Sequence, residues 1–191
     1  MAALALAGGP DEIVAYHDSG EWARDTTRVV RRARRYLSRR LEDRAAIVLD
    51  VDDTALSTYE CLKAVDFDRT RTSCGEAGDL PAIAQTRRLY RYARRHGVAV
   101  FFVTGRRERL RGVTARNLRE AGYDRWRRLY LRPDREPADR RDGYKARTRA
   151  RIERRGFRIV VNLGDQRSDL DGGHALRGFK LPNPMYVIDE A

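Results

Sequence analysis

The sequence predicts an α/β fold in which a parallel sheet carries helices on both faces and an insertion follows the first strand. Short apolar runs alternate with longer amphipathic segments along the chain, as they do in folds built from strand–helix–strand units. The first apolar run also ends in aspartates, at the edge where open α/β sheets place their ligands. With 191 residues, 41% of them hydrophobic, the chain can form one domain around one sizeable core.

The first half of the chain begins with two predicted helices, at residues 13–20 and 21–41, the second amphipathic with arginines opposite its apolar face. Ala45–Leu49 is predicted to be a buried strand because it is a short, uninterrupted apolar run. Residues 58–80 show neither helical nor strand periodicity. Because a crossover between parallel strands usually needs only a helix, we expect this stretch to be an insertion.

The second half continues the alternation of strands and helices. Pro81 is predicted to begin a helix, because its missing N–H costs nothing in the first turn, and His96-Gly97 to end it. The remaining strands are predicted at residues 98–103, 128–131, 157–163 and 185–188, the remaining helices at residues 106–122 and 143–155, and a polar surface loop at residues 134–142.

The residues at the end of the first strand carry the strongest chemical signal. Asp50 and Asp52 alternate along the chain as it leaves the sheet, so they can converge on one point. Two carboxylates that lie so close raise each other's pKa unless a cation lies between them. Hard oxygen ligands of this kind favour Mg²⁺. For this stretch alone, the alternative is a solvated acidic loop that ends a strand.

Four motifs in order make the chain resemble the haloacid dehalogenase-like (HAD) phosphohydrolases. Asp50-Val-Asp52-Asp-Thr54 resembles the DxDxT signature of that superfamily, and it is followed by Val103-Thr104-Gly105-Arg106, Lys145 and Gly164-Asp165-Gln-Arg-Ser-Asp169. Residues 104–118, 164–170 and 179–186 look more narrowly like the acid phosphatase subfamily, which includes class B-like bacterial acid phosphatases and plant vegetative storage proteins. The resemblance covers residues 13–188 and implies a HAD-type, Rossmann-like sheet in which the insertion at residues 58–80 forms a small cap over the site.

The resemblance implies an acid phosphatase that uses Mg²⁺ and hydrolyses phosphate monoesters through an aspartyl-phosphate. Asp50 is expected to be the nucleophile and a metal ligand, and Asp52 the general acid/base, which binds the metal through its backbone carbonyl. The other expected roles are metal binding by Asp165, orientation of a water or of Lys145 by Asp169, phosphate binding by Thr104, Gly105 and Lys145 at a helix start, and candidate substrate contacts by Tyr59, Phe67 and Arg106.

Other functions remain open on the same motifs. A nucleotidase or a phosphotransferase would use the same site, and a storage or phosphate-binding protein is the non-catalytic alternative, although Asp50 is present. The net charge of +12 comes almost wholly from arginine and would attract a small phosphorylated substrate. Nucleic acid is a less favoured partner because aromatic residues are not interleaved with the basic ones. The oligomeric state is left open.

Residues 1–12 are predicted to form either a disordered tail or the remnant of a signal peptide, ahead of a phosphatase domain at residues 13–191. They contain small residues and a short apolar core but no basic n-region. Relatives in the resembled subfamily are often exported, which favours the remnant and an envelope, periplasmic or extracellular location over the cytoplasm. No apolar run approaches the roughly 20 residues that span a bilayer.

Cys61 and Cys74 are the only cysteines of the chain, lie 13 positions apart and both belong to the predicted cap. A disulfide between them is predicted, and two buried free thiols are the alternative in a reducing cytosol. A zinc site is less favoured, because two thiolates without a nearby histidine leave the ion short of ligands.

Lys145 is one of three lysines among 40 basic residues, which suggests that a compact ammonium is needed there.

Overall fold

The structure is a computed structural model that describes residues 9–135 and 143–188. Five strands form its centre: β1 (Ala45–Leu49), β2 (Ala99–Arg107), β3 (Arg128–Arg132), β4 (Arg158–Gly164) and β5 (Gly178–Lys180). They make one sheet in the order β3-β2-β1-β4-β5. Every neighbouring pair is parallel, as the predicted alternation of strands and helices requires.

Helices cover the sheet and connect its strands. Those of the described residues are α1 (Pro10–Asp18), α2 (Glu21–Ser38), α3 (Tyr59–Lys63), α4 (Cys74–Ala77), α5 (Ala84–Arg95), α6 (Arg111–Glu120), α7 (Tyr144–Glu153) and α8 (Arg167–Leu170). Short 3-10 helices lie at Arg69–Arg71 and Glu108–Leu110. In the described part of the chain, no helix is both long enough and apolar enough to cross a membrane.

Alternate residues of β1 pack into two separate cores. Ile47 and Leu49 belong to the larger core, which also contains buried residues of α2, α5 and α6. Ala46 and Val48 belong to the smaller core, together with Ile152 of α7. Because β1 is buried on both faces, its sequence is an unbroken apolar run rather than an alternating one.

Two predicted elements lie elsewhere in the structure. The fifth strand is Gly178–Lys180, which pairs with β4, and not residues 185–188. Prolines at positions 182 and 184 remove two backbone donors just before the predicted strand. The prediction that Pro81 begins a helix is also wrong, because the Pro81 carbonyl accepts a hydrogen bond from Ser57 and the next residue bridges to Leu56. These contacts hold the backbone extended, and α5 begins only at Ala84.

The helix predicted from Arg106 also begins later, at Arg111. β2 continues through the Thr104-Gly105 pair, and its pairing with β3 shifts register between Thr104 and Arg107. A register shift of this kind re-aims side chains at the end of a strand. Gly105 and Arg106 therefore occupy an irregular strand end and not the helix start that we expected to bind phosphate.

The first helix begins at Pro10 and not at residue 13, so residues 10–12 belong to the folded part of the chain and not to a tail. Asp11 and Glu12 lie in the first turn of α1, where the helix dipole favours acidic side chains. Residues 1–8 of the predicted tail and most of the predicted loop, residues 136–142, lie outside the described residues.

The predicted disulfide between Cys61 and Cys74 is confirmed. It joins α3 to α4 within residues 58–80, which we call the cap, and the two Cα atoms are 5.9 Å apart. The cap backbone is irregular between these helices, since Asp66 and Phe67 have positive φ angles of 52° and 61°. A disulfide between cysteines 13 positions apart therefore closes a segment with little regular structure of its own.

Reduction of the disulfide is expected to loosen the cap and to leave the sheet folded. In the chain-entropy model, closing a loop of this length stabilises by about 3 kcal/mol. Amides of α3 and α4 should exchange faster after reduction, whereas amides of β1 and β2 keep their protection. A variant with both Cys61→Ser and Cys74→Ser serves as the control and should behave alike without reductant. Equal loss of protection in the sheet would contradict this expectation.

Candidate active site

Three buried carboxylates, those of Asp50, Asp165 and Asp169, meet at the carboxyl edge of the sheet. One oxygen of each lies within 4.8 Å of the others. Asp50 follows β1, Asp165 follows β4, and Asp169 lies in α8. Because β1 and β4 are parallel neighbours, their carboxyl ends lie side by side, at the edge where such sheets bind ligands.

A capping box and a glycine bring Asp169 to this cluster. Its Oδ2 accepts a hydrogen bond of 2.8 Å from the backbone N of Gln166, and the Gln166 side chain in turn accepts from the backbone of Asp169. A Cβ on Gly164 would lie 2.2 Å from the Cβ of Asp169. The glycine of the Gly164-Asp165 motif is therefore required for α8 to approach the end of β4.

Lys145, in the first turn of α7, extends its ammonium between the carboxylates. Its Nζ donates a hydrogen bond of 2.7 Å to Oδ1 of Asp50 and another to Oδ1 of Asp169. Burial opposes the charge of this ammonium, but Asp50 and Asp169 outweigh burial and raise the pKa of Lys145. The ammonium is thus charged and fixed beside Asp50.

One ammonium does not compensate the three acids. Burial raises the pKa of Asp50 well above its ordinary value, and Asp169 raises it further. Burial also raises the pKa of Asp165 to about 7, with a further contribution from Asp169. A further cation would favour the ionised forms of these groups. Three hard oxygen donors that lie this close together fit a divalent ion such as Mg²⁺. Binding of such an ion would release the protons that these carboxyl groups carry.

Asp165 is oriented by donors that the sequence analysis did not identify. Its Oδ2 accepts hydrogen bonds of 2.5 Å from Nε2 of Gln166 and 2.8 Å from Nδ2 of Asn183. Its Oδ1 accepts one of 3.1 Å from the hydroxyl of Thr54, the last residue of the DxDxT motif. Asn183 lies within the segment 179–186 that resembles the acid phosphatases, which was the one signal in the sequence that pointed to it.

Residues 181–188, which we call the C-terminal segment, run along the site. The Tyr186 hydroxyl donates a hydrogen bond of 2.6 Å to Oδ2 of Asp53. The backbone N of Ile188 donates one of 2.9 Å to Oε1 of Gln166. Tyr186 and Ile188 thus bind to the side chains of Asp53 and Gln166 and not to the backbone of a neighbouring strand. For this reason residues 185–188 do not form the predicted strand.

Asp53 is a structural acid and does not face the cavity of the site. Besides Tyr186, it accepts hydrogen bonds of 2.8 Å and 2.6 Å from the backbone N and the hydroxyl of Thr58. Burial raises the pKa of Asp53 to about 6, although these hydrogen bonds favour its ionised form. Asp53 thereby joins the loop after β1, the start of the cap and the C-terminal segment.

Asp52 has a different environment from Asp50. Oδ1 of Asp52 lies 2.6 Å from Nη2 of Arg106, and Oδ2 lies 3.0 Å from Nε. The Asp52 side chain remains 29% exposed, whereas that of Arg106 is 4% exposed. Asp50 is therefore buried against Lys145, whereas Asp52 is held by Arg106 and remains partly exposed to solvent.

These groups line a cavity of about 320 Å³ between the sheet edge and the cap. Its lining contains the predicted site residues Asp50, Asp52, Thr104, Gly105, Arg106, Lys145 and Asp165, and cap residues that include Leu62, Arg69 and Gly75. Tyr59 and Phe67 are not brought to this cavity. The ring of Tyr59 stacks on His17 at 3.5 Å, and Phe67 packs 5.9 Å from Tyr59, so these two aromatic residues pack the cap against α1.

The fold and the site together define a HAD-like protein. They combine a parallel sheet with aspartates after β1, a lysine and acids after β4. The family model for the HAD superfamily, subfamily IIIB (acid phosphatase), matches residues 7–189. The chain therefore belongs to this acid phosphatase family, and the resemblance drawn from its motifs is confirmed.

Similar proteins carry both enzyme and storage names. Acid phosphatase 1 of Solanum lycopersicum is 40% identical over 152 residues, which cover 74% of this chain and 58% of that protein. The stem 28 kDa glycoprotein of Glycine max is 32% identical over 180 residues, covering 88% and 71%. Vegetative storage protein 1 of Arabidopsis thaliana is 31% identical over 148 residues, covering 74% and 54%. The chain thus spans little more than half of the tomato protein.

The fold also has a counterpart among solved structures. The class C acid phosphatase of Bacillus anthracis superposes with a TM-score of 0.73 at 18% identity, covering 92% of this chain and 83% of that one. At this level of identity, the likeness concerns the fold alone. It confirms the predicted α/β architecture with its parallel sheet.

Proposed function

We propose that this protein is a metal-dependent acid phosphatase that hydrolyses phosphate monoesters through an aspartyl-phosphate. The observation that carries the proposal is the Asp50 carboxylate, which lines a cavity of about 320 Å³ with Lys145 bound to it. Two further acids lie within 4.8 Å of Asp50. Membership of the acid phosphatase family supports the same chemistry.

Asp50, Asp165 and Asp169 would hold the metal ion, with the backbone carbonyl of Asp52 as a further ligand. Their hard oxygen atoms favour Mg²⁺. When bound, such an ion neutralises negative charge on the phosphate and on the attacking carboxylate. We include the Asp169 side chain in this set because one of its oxygens lies within 4.8 Å of an oxygen of Asp50 and of Asp165.

The reaction has two steps, which the two strand-end carboxylates share. An oxygen of Asp50 attacks phosphorus, the ester P–O bond breaks, and Asp52 donates its proton to the departing oxygen. Asp52 then takes a proton from water, the water oxygen attacks phosphorus, and inorganic phosphate leaves with Asp50 restored. Asp52 is partly exposed at the cavity, where it can reach the departing oxygen and then the water, and Asp50 is buried beside Lys145.

Thr104, Gly105 and Lys145 would bind the transferred phosphoryl group. The Thr104 hydroxyl oxygen accepts a hydrogen bond of 3.1 Å from the backbone N of Arg106, which leaves its hydrogen for a phosphoryl oxygen. Apart from Gly105 itself and its two chain neighbours, no described residue has an atom within 4 Å of the position that a Cβ of Gly105 would occupy, so the phosphate can approach the backbone. Lys145 adds a positive charge next to the nucleophile.

Hydrolysis of a panel of phosphomonoesters, with Mg²⁺ and after chelation, tests this function. We expect turnover with Mg²⁺ and a loss of about a hundredfold or more after chelation, because metal ions contribute several kcal/mol to such transition states. Mg²⁺ should also raise the Tm of the chelated protein. Turnover that is unchanged by chelation would contradict the metal site. A Tm that rises with inorganic phosphate, without any turnover, would favour the storage or phosphate-binding alternative.

We also propose that the protein acts outside the cytoplasm. The Cys61–Cys74 disulfide supports an oxidising compartment, and three of the similar proteins are called stem glycoproteins. Mass spectrometry of the protein isolated from its own cells without reduction is the test. Two freely alkylated cysteines would contradict export.

A further inference from the structure

Arg106 lies between Asp52 and the cap, and contacts both through one rigid group. Its Nε and Nη2 bind the Asp52 carboxylate. Its Nη1 donates hydrogen bonds of 3.0 Å to the carbonyl oxygen of Gly75 and 3.1 Å to the hydroxyl of Thr114. A guanidinium has five N–H donors in one plane, so these contacts leave a single N–H for any substrate.

The contact with Gly75 connects Arg106 to the disulfide. Gly75 lies in α4, directly after Cys74, and Cys74 is bonded to Cys61 of α3. The carbonyl that holds one edge of the guanidinium is therefore anchored by the covalent closure of the cap. Thr114, in α6, holds the same edge.

We propose that Arg106 is a positioning residue that couples the disulfide-closed cap to the general acid/base Asp52. The inference rests on the proposed function, because it requires Asp52 to transfer a proton. One edge of the guanidinium binds both oxygens of Asp52, and the other edge binds the cap. The position of α4 thus sets where the Asp52 carboxylate lies in the cavity.

The first test compares two substrates that differ in their need for a proton. The 4-nitrophenolate of 4-nitrophenyl phosphate leaves without protonation, whereas the alkoxide of glycerol 2-phosphate requires it. Because general acid catalysis contributes about 10²- to 10⁴-fold, Arg106→Ala should lower kcat/KM about a hundredfold or more for the alkyl ester. We expect a loss of about tenfold or less for the aryl ester, whose departing oxygen gains little from an acid.

Rescue separates a positioning role from a merely structural one. Added millimolar guanidinium should restore alkyl ester hydrolysis to Arg106→Ala, because it can occupy the vacated place beside Asp52. Arg106→Lys should remain impaired, since an ammonium cannot make the two-pronged contact. Equal losses on both esters with a raised KM would instead make Arg106 a substrate-binding group and overturn the inference. A wild type that hydrolyses neither ester would overturn the proposed function itself.

The second test moves Arg106 without replacing it. A Cβ on Gly75 would lie 3.1 Å from Nε of Arg106, whereas a Cβ on Gly112, in α6, would meet nothing within 4 Å. Gly75→Ala should therefore reproduce the selective loss on the alkyl ester, and Gly112→Ala should leave both rates unchanged. Equal behaviour of the two variants would overturn the link to the cap.

Reduction of the disulfide completes the test and does not depend on the folding of a glycine variant. Reduced wild type should lose alkyl ester hydrolysis more than aryl ester hydrolysis. Reduced Arg106→Ala should show no further selective loss, because residues that act through one contact are non-additive. Independent, additive effects of reduction and Arg106→Ala would overturn the coupling.

Discussion

Asp50→Asn is expected to remove phosphatase turnover and to keep the fold. The amide has nearly the same volume as the carboxylate but cannot attack phosphorus, so kcat should fall on the order of 10³-fold or more, as it does when other enzymes lose a nucleophile. Asp43→Asn, at an exposed position, is the matched control and should retain full activity. Initial rates with excess Mg²⁺ measure both variants.

The same substitution should not destabilise the metal-free protein. Burial and the neighbouring Asp169 raise the pKa of Asp50 in the folded protein. At pH values above the pKa that Asp50 has in the unfolded chain, this carboxyl group therefore lowers the free energy of unfolding. A neutral amide removes that cost, and Tm in a chelator at neutral pH should equal or exceed that of the wild type, as is usual for electrostatically strained sites. Undiminished turnover in a folded Asp50→Asn variant would sink the covalent mechanism.

Lys145→Arg is expected to impair catalysis almost as severely. The lysine side chain is 14% exposed and its Nζ lies 2.7 Å from Asp50, so the longer, planar guanidinium has no room to reproduce both contacts. We expect kcat/KM to fall by about a hundredfold or more, because precise positioning in such a site commonly contributes that much. Binding of the substrate phosphate should weaken as well, and KM should rise.

Lys63 supplies the control for this variant. Its Nζ lies 3.5 Å from Asp18 at a side chain that is 39% exposed, and exposed ion pairs contribute little. Lys63→Arg should change neither rates nor Tm appreciably. If Lys63→Arg and Lys145→Arg had equal effects, Lys145 would have no catalytic role.

Features of the site that depend on local sequence could be predicted. β1 was predicted with its observed bounds, because a short apolar run that ends in aspartates carries its own signal. Lys145 and Asp165 followed from the order of the motifs. The convergence of Asp50, Asp165 and Asp169 then follows from the strand order, since parallel neighbours end at the same edge.

The partners of these residues could not be predicted, because they come from distant parts of the chain. Asn183 reaches Asp165, and Arg106 reaches Asp52, only after the chain has folded. Neither amide nor guanidinium groups show any periodicity that would reveal such a role. Tyr59 and Phe67 were expected to line the cavity because they belong to the cap, which covers it. The cap is irregular, so the spacing of its residues does not tell which of them face the site; packing decides this.

The C-terminal segment also determines when the site can assemble during synthesis. Tyr186 and its partner Asp53 are 133 positions apart, and Asn183 follows Asp165 by 18. A ribosome delivers the chain from its N-terminus, so β1 to β4 can emerge while the acids at their ends still lack these donors. Contacts between residues so far apart in sequence form late and slowly. A nascent chain of this protein would therefore remain without a complete site until residues 183–186 have been translated.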